Sequence, residues 1–497
     1  MLPRCPRIKP IRIFMPFLQI HRSRIILLTL LLFPCLLQPQ KAAAELFPRY
    51  PEIEKNIKFW EDIYTKYSIQ QAVIHDANDL SIVYTVVELV DPLLPGIQKI
   101  NALAQKQVIK KYEGILYRLS RQAPSTPLEK RVAARFSGKS AKRAMQRAAQ
   151  NVRSQRGQKD RFVEGVIASG AYLAEMKRIF REYGLPEDLV YLAHVESSFN
   201  LQAHSKQGAA GIWQFTRGTG KKYLRIDRGI DERRDPILAT HAAAKYLKKS
   251  YQRLGSWPLA ITSYNYGLSG MLRARKEYGS YTEIFKNYRK GYFKFASKNF
   301  YSEFLAARAI AKKLEKVLKI NTPEKTISLK LPAFVDLGKL SRYLGLTKER
   351  LCLLNPALKS ATIRGERYLP RGYSLRLPAD PGIRQKMAHI PASLLYKRQR
   401  QQAIHEVRRG ETAIGIAKRY GISLKSLLRL NNLDHKAQIY TNQKLHLPHN
   451  TVSPQTMTTR TRQKKIPVPT LVGTRKNRPY LNNTAGEQSR TTRVIQR

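Results

Sequence analysis

The chain has 497 residues, 90 Lys+Arg against 35 Asp+Glu, a formal net charge of +55, and three cysteines. That length exceeds one compact domain, and a hydrophobic content of 42% excludes a wholly disordered basic polymer. Three cysteines exclude a disulfide-stapled scaffold and Cys-rich zinc sites, while the charge asks for an anionic partner without choosing between nucleic acid, membrane surface and acidic polymer.

Read from the start, Arg22 and Arg24 precede the apolar run from Ile25 to Phe33, and Ala42-Ala43-Ala44 follow. Basic, apolar, then small is the layout of a secretory signal peptide, here residues 1–44, with an uncleaved membrane anchor, and so a membrane-associated protein, as the alternative. The run is shorter than the roughly 20 residues that span a bilayer. Cys35 follows Phe33-Pro34, where a lipidated Cys would have small residues. Removing this segment leaves Cys352 alone, inside Leu351-Cys352-Leu353-Leu354, where it reads as a small hydrophobe.

Residues 45–157 read as a helical N-terminal region. The pattern from Ile97 to Leu119 puts Ile100, Leu103, Val108, Ile115 and Leu119 on one helix face. Lys139 to Gln158 is basic and rich in Ala and Gln, an exposed helix or linker. Residues 158–316 are helical patterns with short Gly-containing breaks. Residues 326–378 form a small mixed module closing on Leu375-Arg376-Leu377-Pro378, and 404–449 a second small module after a basic linker. The tail, 450–497, has few apolar positions and reads as disordered and basic.

The chemistry concentrates in 158–316. Gly184-Leu185-Pro186-Glu187-Asp188 starts a helix that puts Leu189, Leu192, Ala193 and Glu196 on one stripe. A carboxyl against apolar walls resists ionisation, which suits a general acid. Small residues at 208–211 let backbone approach closely. Trp213 and Gln214 then offer a flat apolar face and an amide, the pair a sugar ring needs. Trp257 to Gly267 is another aromatic-plus-amide segment. Asp231, Glu232 and Asp235 alternate with Arg233 and Arg234 and read as a structural ion-pair loop.

In this order, Glu196-Ser197-Ser198, Gly211-Ile212-Trp213-Gln214-Phe215, Ser263-Tyr264-Asn265 and Phe300-Tyr301-Ser302-Glu303 resemble one family. It is the lytic transglycosylases with a goose-lysozyme-like fold, of the membrane-bound lytic murein transglycosylase D type. The resemblance implies cleavage of the MurNAc–GlcNAc β-1,4 bond of peptidoglycan without water. Glu196 would act as acid and then as base, and the sugar's own 6-hydroxyl would close a 1,6-anhydro ring. It further implies that Ser205, Gln214, Tyr264, Asn265 and Tyr301 hold substrate. Ordinary glycosidases use two carboxyl groups; Glu196 stands alone around these motifs, and an attack from within the substrate needs no second one.

The module at 404–449 resembles LysM, a βααβ unit that binds N-acetylglucosamine-containing glycans. Gly410, Thr412, Asn431 and Asn432 are its candidate glycan-binding residues. Residues 326–378 echo its layout as a degenerate copy or a structural spacer. The expected fold is mainly α, a helical catalytic domain with small βααβ modules. No cofactor and no metal site is expected. The expected partners are peptidoglycan strands and an anionic envelope surface, not nucleic acid, in the periplasm or cell envelope. A hydrolytic muramidase and a non-catalytic peptidoglycan-binding protein are the alternatives.

Overall fold

The computed structural model describes residues 45–400 and 404–447. The expected signal peptide (1–44) and basic tail (450–497) lie outside the described residues. Chain order begins with α1 (Glu54–Thr65), β1 (Gln71–Asp76), β2 (Val83–Glu88), α2 (Gln98–Leu119), α3 (Pro127–Ala133), α4 (Ala141–Ala149) and β3 (Val152–Arg156). The helical body follows as α5 (Lys159–Ser169), α6 (Leu173–Glu182), α7 (Leu192–Ser197), α8 (Arg217–Gly220), α9 (Pro236–Leu254), α10 (Trp257–Tyr266), α11 (Leu268–Tyr278), α12 (Tyr281–Asn287) and α13 (Phe295–Val317). The fold is mainly α.

Helix α9 illustrates how local chemistry builds this body. The Asp235 carboxylate accepts from the backbone N–H groups of Ile237 and Leu238, Pro236 occupies the first turn, and Gly255 at φ +64° closes the far end. Between them Ala239, Ala242, Ala243, Leu247 and Leu254 are buried, so the small-residue face lets neighbouring helices approach. One core holds α1, α5–α7, α9–α13 and the segment before α1. Phe47 meets Phe304 edge-on at 5.3 Å, and Tyr64 stacks on Phe162 at 4.3 Å. Helix α1 therefore belongs to the helical body, although it lies before residue 158.

The rest of the N-terminal region differs from the helical reading. It contains a three-stranded antiparallel sheet in the order β2-β1-β3, covered by α2–α4 with their own core of Ile74, Tyr112, Ile115, Leu116, Leu119, Val132 and Met145. Strand β3, Val-Arg-Ser-Gln-Arg, lies in the segment read as helix or linker. It is a partly exposed edge strand, so it needs no apolar alternation. The face of α2 also differs. Its buried side is Asn101, Gln105, Tyr112, Ile115, Leu116 and Leu119, while Ile100 and Leu103 are each 58% exposed. Two amides set this rotation. Asn101 accepts from the Val90 N–H at 3.0 Å and donates to the Val90 carbonyl at 2.7 Å. Gln105 Oε1 accepts from the Ser154 hydroxyl on β3 at 2.8 Å.

Two small modules complete the chain. The first holds β4 (Thr326–Lys330), β5 (Phe334–Val335), α14 (Leu337–Leu344), α15 (Lys348–Leu354), α16 (Ser360–Ile363), β6 (Ser374–Pro378), α17 (Pro381–Ala388) and β7 (Leu395–Tyr396). The second holds β8 (Ile404–Glu406), α18 (Ala413–Arg419), α19 (Leu424–Asn431) and β9 (Lys444–His446). In each, the first strand pairs antiparallel with a strand after the helices: β4 with β6, β8 with β9. In each, one asparagine pins that later strand. Asn355 donates to the carbonyls of Leu351 and Arg376 and accepts from the Arg376 N–H, each at 2.8 Å. Asn431 does the same with Leu427, His446 and the His446 N–H at 2.8, 2.9 and 2.7 Å. The first module is thus a βααβ unit, enlarged by α16, α17 and the β5–β7 pair.

The first module grips the helical body. Ile230 of the body is fully buried in the module's core. The Asp231 N–H donates to Ala357 at 2.8 Å, the Thr362 hydroxyl to Gly229 at 2.9 Å, and Lys359 Nζ to the Asp227 carbonyl at 3.0 Å.

Candidate active site

Glu196 lies half-buried near the end of α7. The helix expected to run from Pro186 is split: a 3-10 turn over Glu187–Tyr191 leads into six residues of α-helix. Ser198 (φ 48°) and Phe199 (φ 57°) then turn left-handed in succession. Two non-glycine residues in that region store local strain, which the packing around them must hold. Part of that packing is α5. A Cβ on Gly165 would lie 2.1 Å from the Ser198 carbonyl oxygen, so the helix backbone presses directly on the turn after Glu196. From the other side, the Ser197 hydroxyl bonds the carbonyls of Ala193 (3.2 Å) and Ile212 (3.0 Å) and ties α7 to the loop ahead of α8.

Two residues before Glu196, His194 is buried among Phe162, Tyr191 and Phe199. Neither ring nitrogen has a hydrogen-bond partner among the described residues. Burial lowers its pKa to about 3, so it is a neutral core residue.

The loop from Ala203 to Phe215 is closed on itself. The Ser205 N–H donates to the Ala209 carbonyl, and the Ser205 hydroxyl oxygen accepts from the Ala209 N–H, both at 3.0 Å. The expected sugar platform at Trp213 is absent. Its ring is fully buried against Phe180, and Nε1 donates to Thr240 Oγ1 at 2.9 Å. Gln214 is left-handed (φ 45°) and half-buried, with Nε2 donating to the Gly211 carbonyl at 2.8 Å. Its Oε1 is the amide atom with no bond among the described residues.

Tyr264 on α10 donates its hydroxyl to the Trp213 carbonyl at 3.0 Å. Burial, followed by the negative charge of Glu196, raises its pKa well above the ordinary phenol value. Tyr264 is therefore a neutral donor within electrostatic reach of Glu196. The neighbouring Asn265 accepts from the Ser297 hydroxyl at 2.6 Å. Tyr301 is not brought to this group. It is fully buried, its hydroxyl donates to the Pro48 carbonyl at 2.9 Å, and its ring meets Tyr281 edge-on. Phe300 is equally buried. The reason is α1: its docking, with the segment before it, covers that side of α13.

Arg233 is the residue that the motif reading undervalued. Its Nη1 reaches the Gly208 carbonyl at 2.7 Å and the Phe215 carbonyl at 3.0 Å, spanning both ends of the loop. Its Nε and Nη2 pair with both Asp231 oxygens at 2.9 and 2.7 Å. Burial pushes the Asp231 carboxyl up, but the Arg233 bonds outweigh it and hold the group below the usual carboxylate range. Gly211 must be glycine: its φ is +75°, and a Cβ would meet the Arg233 carbonyl oxygen at 1.9 Å. Because Asp231 also donates to the first module, and Asp235 accepts from Arg376 at 3.3 Å, that module backs the same loop. The acidic loop is structural, as its alternating signs imply. Glu303, another buried carboxyl, sits on α13 and accepts from the Tyr64 hydroxyl at 3.1 Å.

In the second module, Gly410 takes a left-handed φ of 86° in the turn after β8. Thr412 caps α18 by accepting from the Gly415 N–H at 3.1 Å. Asn432 is exposed and left-handed at the end of α19. Asn431, expected as an exposed amide, spends its side chain on the strand pin described above. Among the described residues no group of three or more His, Cys, Asp or Glu is arranged to hold a metal ion.

Residues 176–285 match the transglycosylase SLT domain, and 405–448 match the LysM domain. Membrane-bound lytic murein transglycosylase D of Escherichia coli (strain K12) is 27% identical over 266 residues, covering 51% of this chain and 58% of that protein. The same protein from E. coli O6:H1 matches equally. A protein of Alteromonas sp. (strain M-1) named for tributyltin chloride resistance is 36% identical over 92 residues, 18% of this chain and 44% of its own. The match thus spans a little over half the length of the E. coli relatives. Glu196, Gln214 and Tyr264 all fall inside the SLT match, so the chain carries a transglycosylase SLT domain around its candidate carboxyl and a LysM domain formed by β8, α18, α19 and β9.

Proposed function

We propose that this chain is a lytic transglycosylase of peptidoglycan that cleaves the MurNAc–GlcNAc β-1,4 bond and leaves 1,6-anhydro-MurNAc ends. One observation carries the proposal: within the SLT match, a half-buried carboxyl sits at a strained helix end beside a tyrosine held neutral. Glu196 protonates the glycosidic oxygen as the bond breaks, and the leaving sugar departs with that proton. The resulting carboxylate takes the proton of the 6-hydroxyl, whose oxygen closes onto the anomeric carbon. The acid is regenerated and no water is consumed. The substrate supplies the nucleophile in place, which replaces the second carboxyl of a hydrolase. Tyr264, anchored by its bond to the Trp213 carbonyl, lines the site near Glu196 with its phenol oxygen left to accept from the glycan, and Gln214 Oε1 and Asn265 orient the sugars. Ser205 holds the loop that carries Gln214.

The LysM domain keeps the enzyme on its polymer, with the exposed turn residues Gly410 and Asn432 and the capped start of α18 at Thr412 as the glycan face. The protein works in the cell envelope, where peptidoglycan lies. Masses of the products from purified peptidoglycan test this reading. Anhydro ends are expected; reducing MurNAc ends would make the protein a hydrolase. Deleting 403–497 should lower retention on insoluble peptidoglycan, and unchanged retention would remove the LysM role.

A further inference from the structure

The sheet subdomain has no part in the chemistry above, and its outer surface is unusual. Around α2 at about 100° per residue, Lys99, Ile100, Leu103, Lys106, Lys110 and Lys111 all fall within an arc of about 140°. That arc lies opposite the buried Asn101, Gln105 and Tyr112. Ile100 and Leu103 are each 58% exposed, and in the turn just before the helix Leu93 is 72% and Leu94 50% exposed. The four lysines are exposed, and none forms an ion pair among the described residues. From Gln98 to Ala149 the chain carries 13 Lys+Arg against two Asp+Glu, and one of those two, Glu129, is bonded by Arg118.

From this face we infer that α2 and the Leu93-Leu94 turn dock on an anionic lipid bilayer. Lysines alone would suit any polyanion, including an acidic glycan. Four large aliphatic side chains set among them do not, because a hydrated polysaccharide offers nothing to bury them. The headgroup region of an anionic membrane takes both: cations meet phosphates while the aliphatic groups enter the boundary to a depth of roughly 5–10 Å. No helix among the described residues is long and apolar enough to cross a membrane, so α2 lies on the surface. The subdomain has its own core and hangs on the catalytic body through β1 and α1, so docking holds the body at a set distance from the bilayer. This inference does not rest on the transglycosylase reading.

The test is flotation of the chain from Glu45 onward, which holds every element described, with two kinds of vesicle. One is phosphatidylglycerol mixed with phosphatidylethanolamine; the other is phosphatidylcholine alone. The parent chain should float with the anionic vesicles only. Each lysine neutralised, as in Lys106→Gln or Lys110→Gln, should lower partitioning about five-fold. Ile100→Glu with Leu103→Glu should lower it at least ten-fold, with an unchanged thermal melt. Undiminished flotation of that double variant would overturn the inference, because bulk charge would then suffice. So would failure of the parent to float with anionic vesicles, or equal flotation with phosphatidylcholine. Sedimentation equilibrium provides the remaining arm: a dimer that the double variant disperses, with flotation unchanged, would assign the face to a second copy of the chain.

Discussion

Gly165→Ala separates local helix preference from the needs of the site. In an exposed helix interior this change stabilises by about 0.8–1 kcal/mol, because alanine loses less backbone freedom. Gly165 sits within α5, where propensity alone predicts a gain. The new Cβ, however, would lie 2.1 Å from the Ser198 carbonyl oxygen, more than an ångström inside ordinary contact, and that obstacle is backbone. Overpacking of this kind costs about 1–3 kcal/mol, so the net effect is a loss of up to about 2 kcal/mol. Relief requires α5 or the turn at Ser198–Phe199 to move, and Glu196 moves with the turn. A misplacement of about 1 Å at a reacting group costs on the order of a hundred-fold in rate. Gly114→Ala in α2 is the matched control, since its Cβ meets only the Arg118 guanidinium at 3.8 Å. Thermal melts and release of soluble fragments from peptidoglycan read both variants. Gly165→Ala should be less stable and nearly inactive, and Gly114→Ala more stable and fully active. A Gly165→Ala protein as stable and active as its parent would refute the close approach of α5 to the site.

Three further outcomes are expected. Arg233→Met leaves Asp231 buried and unpaired and should cost about 3–5 kcal/mol in denaturant unfolding; Asp231→Leu with Arg233→Met should recover much of that, and a loss under about 1 kcal/mol in the single variant would show the pair to be dispensable. His194→Phe removes two unpartnered nitrogens from an aromatic cage and should raise the melting temperature. The native pKa of His194 is about 3 against an unfolded value of about 6.5, so its neutral form favours the fold above about pH 6.5, and that advantage fades as pH falls towards 3. The variant's melt should decline less over that window, with His75, also held neutral at about 4, and carboxylates held low such as Asp231 and Asp188 contributing to the remaining decline. The Glu411 carboxyl, drawn to about 2 first by the Arg408 N–H and then by His405 and Arg419, contributes above its unfolded value near 4.3 and loses that contribution as pH falls through 2. Protection from amide exchange in the LysM domain, taken relative to the intrinsic rate at each pH, should therefore fall in acid for the parent, and Glu411→Gln should be less protected than the parent at neutral pH and change less; equal protection at neutral pH would argue against this role.

The parts of this architecture that were readable in sequence are those set by near neighbours. The turn glycines and the small residues at 208–211 announce themselves locally. So does the module pattern: Leu375-Arg376-Leu377-Pro378 and Leu445-His446-Leu447-Pro448 close the two units, and the residue pinned by asparagine is the second in each. What was hidden depends on distant partners. Trp213 beside Gln214 has the composition of a sugar platform, but Thr240 and Phe180 claim it for the core. Tyr301 lost its place at the site to a segment about 250 residues earlier that takes its hydroxyl. The apolar spacing of α2 suggested one buried stripe, and two amides that bond the sheet side turned it outward. Arg233 looked like one charge in an alternating loop, and only its reach to Gly208 and Phe215 shows that it holds the site loop.

The central claim is that one carboxyl, Glu196, performs both proton transfers. Glu196→Gln keeps the size and removes the acid, so the decisive measurement compares anhydro-muropeptide release from peptidoglycan by parent and Glu196→Gln chains with matching thermal melts. Anhydro ends are expected from the parent, and no release above background from the variant. Release by Glu196→Gln at the parent's rate would contradict that claim.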